Sequence, residues 1–212
     1  MFRRKIMTLA VAGTLSLVVA VPAVMADTFG GGNSDLQFAS GDFSDGQISV
    51  FVGVVLGTSE GVAVSQLSIV TTSYQDITCK GNGKPRPGSI LTQVFGTSRR
   101  AIIKIDKYLA TATASDTFMV TEEIQNSCTG QVTLRDFTTG VSLDLHATSP
   151  TTSLKSRTVT TLPDGSKEIT TSKNDSRDAG GTMTLLGTSY APDSASISHN
   201  VSTDLIIPPP HP

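Results

Sequence analysis

The chain has 212 residues, with 38% hydrophobic and 5% aromatic residues, no tryptophan, two cysteines and a formal charge of −2. That length is enough for one domain with a real core. A mildly acidic chain lacks the overall basic charge that nucleic-acid binding draws on, and so few aromatics weaken a single-strand stacking platform and lower, without excluding, carbohydrate binding.

The front reads MFRRKIMTLAVAGTLSLVVAVPAVMA. Arg3, Arg4 and Lys5 precede an apolar run from Ile6 to Val21, and Val24-Met25-Ala26 places small residues at a cleavage site. The pattern predicts a secretory signal peptide over residues 1–26, cut before Asp27, rather than a retained anchor. The residues after Arg3-Arg4 fit a twin-arginine signal poorly, so general secretion is expected. Its loss takes three positive charges from a net −2, leaving −5. No second apolar run approaches the length of a transmembrane helix. The mature product is therefore expected outside the cytoplasm, secreted or periplasmic.

Residues 27–36, DTFGGGNSDL, are expected to be flexible, followed by a single all-β domain over 37–207. Serine and threonine make up about a quarter of the mature chain, period-2 alternation recurs, and no long helical stripe is present. Residues 47–57, QISVFVGVVLG, place Ile48, Val50, Val52, Val54 and Leu56 on one face and Phe51 and Val55 on the other. A central strand buried on both sides follows. GTSEG, residues 57–61, matches the G-x-S-x-G elbow of a serine nucleophile. A strand follows it where the elbow needs a helix, so Ser59 is expected in a hairpin turn. In VAVSQLSIVTTSYQDITC the apolar parity switches between Val64 and Leu67, which suggests a β-bulge near Ser65-Gln66.

CKGNGKPRPGS, residues 79–89, holds one of the two cysteines, three glycines, two prolines and three positive charges. In an exported chain with no CxxC, Cys79 and Cys128 are predicted to form a disulfide. Ile77 to Ile105 contains no acid and carries Lys80, Lys84, Arg86, Arg99, Arg100 and Lys104. Lys80, Lys84, Arg86, Arg99 and Arg100 are the candidate anion-binding residues, since a basic patch on an acidic protein draws an anionic partner. Its possible partners are an anionic polysaccharide, a lipid headgroup or an acidic protein surface. The bland reading, in which the charges are separate solvated side chains on different strands, competes with it.

Further strands are expected at 89–97, 100–113, 116–124, 131–137, 141–148, 153–161, 167–174, 182–190 and 194–207, with LPDGS (162–166) as a hairpin turn. About eleven short strands point to an antiparallel β-sandwich, jelly-roll-like by preference, or a barrel. The end, 208–212 (PPPHP), is expected to be an extended, disordered tail.

The remaining chemistry is sparse. Asp144 and His146 share one strand face without a local third ligand, His199 falls on an apolar face, and His211 lies in the tail. Asp42 and Asp45 in SGDFSDGQ, and Asn174, Asp175 and Asp178 in NDSRDAGG, read as acidic turns. They lack EF-hand spacing, so a weak structural calcium is the most they suggest; no other metal or cofactor is implied. Glu122 and Glu123 point to opposite faces and form no acid/base pair.

No catalytic set emerges, and the leading expectation is a secreted, non-enzymatic binding or surface module. One alternative is a small secreted hydrolase of glycosides or esters with acids converging in a groove. The other is a membrane-active β protein built on the hairpin around Asp164-Gly165. The alternation there, Leu154, Ser156, Thr158 and Thr160 against Lys155, Arg157, Val159 and Thr161, is weak for a lipid-facing band.

Overall fold

The computed structural model describes residues 33–81 and 84–209. Eleven β-strands and no helix make up the described chain. They are β1 (Ser34–Ser44), β2 (Ile48–Ser59), β3 (Val62–Cys79), β4 (Arg86–Ser98), β5 (Ile102–Ile105) and β6 (Thr111–Asn126). β7 (Gln131–Ala147), β8 (Thr152–Thr161), β9 (Lys167–Leu185), β10 (Thr188–Tyr190) and β11 (Ser194–Ile207) follow.

Every pairing is antiparallel, and three pairs of strands are single strands interrupted. β4 and β5 run in succession along β6. β7 and β8 do the same along one edge of β9, and β10 and β11 along its other edge. Pro150 lies in the second gap and Pro192 in the third; a residue without an N–H interrupts a ladder. Merging these pairs leaves eight strands in up-and-down order. β11 returns to pair with β1, Ser34 opposite Ser202, so the sheet closes on itself. The all-β antiparallel expectation holds. Of the two closures it allowed, the connections are those of a meander barrel, not of a jelly roll with its Greek-key crossings.

The barrel interior is filled. β2 contributes Val50, Val52 and Val54, β3 Leu67 and Ile69, β7 Val141, Leu143 and Leu145, β9 Met183 and Leu185, and β11 Ile197. Each is buried, and each contributes roughly 1.5–3 kcal/mol by leaving water. β2 is buried on both faces as expected, because Phe51 and Val55 on its outer side are also covered.

Several local expectations change. β1 starts at Ser34 with Leu36 fully buried, so residues 34–36 belong to the barrel and not to a flexible leader. Pairing with β2 and β11 on both edges outweighs the polar, glycine-rich composition just before them. Residues 1–32 and 210–212, which carry the predicted signal peptide and most of the tail, lie outside the described residues. Pro208 and Pro209 are exposed and in no strand.

No bulge occurs at Ser65-Gln66: β2 and β3 pair in one unbroken register from Ile48–Ser73 to Ser59–Val62. The parity switch arises because Val62 and Val64 face outward, Val62 being 66% exposed. The expected strand 100–113 is cut by a turn in which Asp106 Oδ2 accepts from the backbone N–H groups of Tyr108 and Ala110, and Leu109 takes a φ of 57°. NDSRDAGG is no turn: Asn174, Asp175 and Asp178 lie within β9, whose ladders on both edges override turn propensity.

Candidate anion-binding groove

The basic segment does not form one patch. Lys80 and Lys84 lie in the β3–β4 connection and Arg86 opens β4, whereas Arg99 and Arg100 follow its last residue. Thirteen extended residues separate the two groups by about 40 Å. The anion-binding set read from the sequence is therefore divided, because a strand carries residues close in sequence to opposite ends of a barrel.

At one end stands the disulfide, Cys79–Cys128, with a Cα–Cα separation of 5.2 Å. Cys79 pairs with Arg86 across the ladder, and Ser127 Oγ accepts from the N–H of Ser89 at 2.7 Å. Together these tie the β3–β4 and β6–β7 connections. Lys80, Lys84 and Arg86 are all exposed there, and none has an ion pair among the described residues.

At the other end, Arg100 borders an open groove of about 680 Å³ on the outer wall of β6, β7 and β9. Two neighbouring ladders across three strands build its floor: Ser115 of β6 pairs with Ser142 of β7, which pairs with Thr184 of β9. Thr117 lies one position further along, opposite Gly140, whose missing side chain leaves the floor open. Alternation turns these hydroxyls outward because Ala114, Val141, Leu143 and Met183 beside them fill the core.

Asp116 sits where β4 ends and β5 has yet to begin. Its carboxylate accepts from Ser98 Oγ and, at 2.7 Å, from the Thr117 N–H. Ser98 Oγ in turn accepts from the Arg100 N–H at 3.0 Å, so the turn carrying Arg100 is fixed to the groove's own carboxylate. Arg100 has no ion pair among the described residues, and its guanidinium is free to meet a ligand. The groove thus offers one cation, one anion, several hydroxyls and an apolar ledge at Ile102. Asp116 and the hydroxyls escaped sequence reading, since nothing in a chain rich in Ser and Thr marks which of them share a wall.

The other candidates stay apart. Ser59 ends β2 in a hairpin with Glu60 at φ 51° and Gly61 at φ 78°; no helix follows it. Asp144 and His146 are exposed on β7, and no three His, Cys, Asp or Glu side chains gather as a metal site among the described residues. Asp45 spends its Oδ1 on the N–H groups of Gln47 and Ile48, which lower its pKa. His199 is half-buried, with Nε2 2.6 Å from Asp35 Oδ1. Asp175 beside it is held below the usual carboxylate range by hydrogen bonds from Lys173 and Ser153. No helix among the described residues is long and apolar enough to cross a membrane.

No family model, curated protein or solved structure matches this chain.

Proposed function

We propose that this protein is an exported, non-enzymatic binding module that takes an anionic carbohydrate in the groove beside Arg100. The observation carrying this reading is the unpaired guanidinium at the edge of a wall of outward hydroxyls. Guanidinium groups pair with carboxylate or sulfate through two parallel hydrogen bonds. Hydroxyls on an open floor exchange bonds with a polyol, and the Asp116 carboxylate accepts from sugar hydroxyls. A single carboxylate lines this groove, whereas glycoside hydrolysis uses two facing each other.

The test is a titration of the purified protein with uronate-containing or sulfated oligosaccharides and their neutral counterparts. Binding of the acidic sugars that Arg100→Glu abolishes and Lys84→Glu leaves intact supports the groove. Equal binding of neutral sugars, or loss through Lys84→Glu instead, overturns it. Turnover of glycosides or esters would overturn the non-enzymatic reading.

A further inference from the structure

β8, β9 and β11 continue past the barrel rim as a three-stranded extension. β1 begins at Ser34, opposite Ser202, while β11 runs on to Ile207. Residues 203–207 therefore reach about 17 Å beyond the first residue of β1.

Register sorts the side chains of the extension onto two faces. On one, Val159, Ile169 and Leu205 stand opposite one another across β8, β9 and β11. Cations bracket this apolar row at about 7 Å on either side: Lys167, opposite Ile207, lies further out and Arg157 lies further in. Lys155 and Lys173, directly opposite each other, come next. The other face holds acids, with Glu168 opposite Ile206 and Asp204 opposite Thr170.

The basic face is left open. Val159 is 51% exposed, Leu205 59% and Ile207 42%, and every residue of β8 is exposed. Like charges placed opposite across a ladder, as Lys155 and Lys173 are, destabilise the pairing. The acids nearby do not offset them all. Asp175 pairs with Lys173, Asp35 with His199, and Asp164 in the β8–β9 turn accepts from the Ser166 hydroxyl. Lys155, Arg157 and Lys167 have no ion pair among the described residues.

We propose that this face of β8, β9 and β11 is a docking surface for an anionic lipid membrane, on which the protein rests without spanning it. Val159, Leu205 and Ile207 would enter the boundary between headgroups and acyl chains, while the ammonium and guanidinium groups stay level with the phosphates. The bracketing cations hold the extension at that depth, since the hydrocarbon core tolerates them poorly. Charge complementarity selects an anionic partner over a second copy of the same basic face. The exposed apolar row selects a bilayer over a soluble polyanion, which would leave that row in water. The site shares no residue with the Arg100 groove, so either reading can fail without the other.

The experiment is co-sedimentation of the purified protein with vesicles of phosphatidylcholine alone and of phosphatidylcholine mixed with phosphatidylglycerol. Binding should require the anionic lipid and weaken as salt rises. Arg157→Glu with Lys167→Glu should weaken it by about tenfold or more. Lys155→Gln with Arg157→Gln, which add no negative charge, should act in the same direction if charge reversal disturbs the fold by circular dichroism. Leu205→Ser with Ile207→Ser should weaken binding at every salt concentration, and Arg100→Glu should bind as the parent does. Equal binding to neutral vesicles, no binding, or full affinity in the charge variants would overturn the proposal. So would binding of soluble dextran sulfate through Arg157 and Lys167 together with vesicle binding that Leu205→Ser and Ile207→Ser leave unchanged, which assigns the face to a soluble polyanion.

Discussion

Gly88 makes room for the disulfide: a Cβ built on it would lie 2.4 Å from Cys79 Sγ and 2.6 Å from Cys128 Sγ. The residue sits in β4 opposite Ile77, in ordinary extended pairing, so its role is space and not backbone freedom. Gly88→Ala should destabilise the protein by about 1–3 kcal/mol, the usual cost of overpacking. In a Cys79→Ser, Cys128→Ser background the same change should cost clearly less, because the hydroxyls need not bond to each other and can move. Denaturant unfolding of the four proteins measures this coupling directly. An equal cost in both backgrounds would show that the sulfur contact is irrelevant.

The disulfide itself closes a loop with a sequence separation of 49. On the chain-entropy model its loss costs about 4 kcal/mol. Urea unfolding of the Cys79→Ser, Cys128→Ser protein against the oxidised parent should show a lower midpoint and a loss of unfolding free energy of that size, and no loss would contradict it.

Gly181 takes a φ of 150°, and a Cβ there would approach the carbonyl oxygen of Asp144 to 2.0 Å. It lies in β9 opposite Leu145, close to where β9 exchanges its neighbour β8 for β7. Gly181→Ala should destabilise by well over about 1 kcal/mol, beyond the ordinary Gly→Ala effect. Gly165→Ala in the exposed β8–β9 turn, with φ 83° and its nearest neighbour at 3.6 Å, should cost less because strain acts there without a backbone clash. Thermal unfolding of both variants gives the order.

Stability should respond to pH in two directions. Asp45, Asp164 and Asp175 are held below the usual carboxylate range by hydrogen bonds, so their contribution is present above the unfolded pKa and fades as pH falls through the folded values. Asp42 is raised, chiefly by burial, against a weaker pull from the Ser194 hydroxyl. For a raised acid the sign reverses: the folded state holds the proton longer, and stability drops as pH climbs from the unfolded to the folded pKa. Asp42→Asn should therefore stabilise the protein at neutral pH and change little in strong acid. A neutral-pH loss on this substitution would refute the assignment.

The β8 strand tests the edge of the sheet. All ten of its residues are exposed and it pairs with β9 alone. Lys155 and Arg157 are the charges that discourage strands of neighbouring molecules from adding there. Replacing both with threonine should leave the fold intact and raise aggregation on concentration, which light scattering would detect.

Much of the fold was legible along the chain because alternation is a local property. QISVFVGVVLG announced a strand buried on both faces, and GTSEG and LPDGS announced hairpins, since turn geometry depends on the few residues within it. Cys79 and Cys128 could be paired because there were only two. What the sequence left open depends on long-range pairing. Gly180-Gly181 and NDSRDAGG read as turns, yet run through a strand whose two edges are occupied by residues far away in sequence. Lys84, Arg86, Arg99 and Arg100 read as one basic run, yet a strand separates them by its full length. Asp116 was one acid among 18 until the end of β4 brought the Ser98 hydroxyl, and with it the turn carrying Arg100, against its carboxylate. The sequence by itself determined the strongly alternating strands, the hairpin turns at GTSEG and LPDGS and which cysteines join. Only the closed sheet decided which strands become neighbours, because the backbone hydrogen bonds that pair them are the same for every sequence, and the choice among partners is made by the core as a whole.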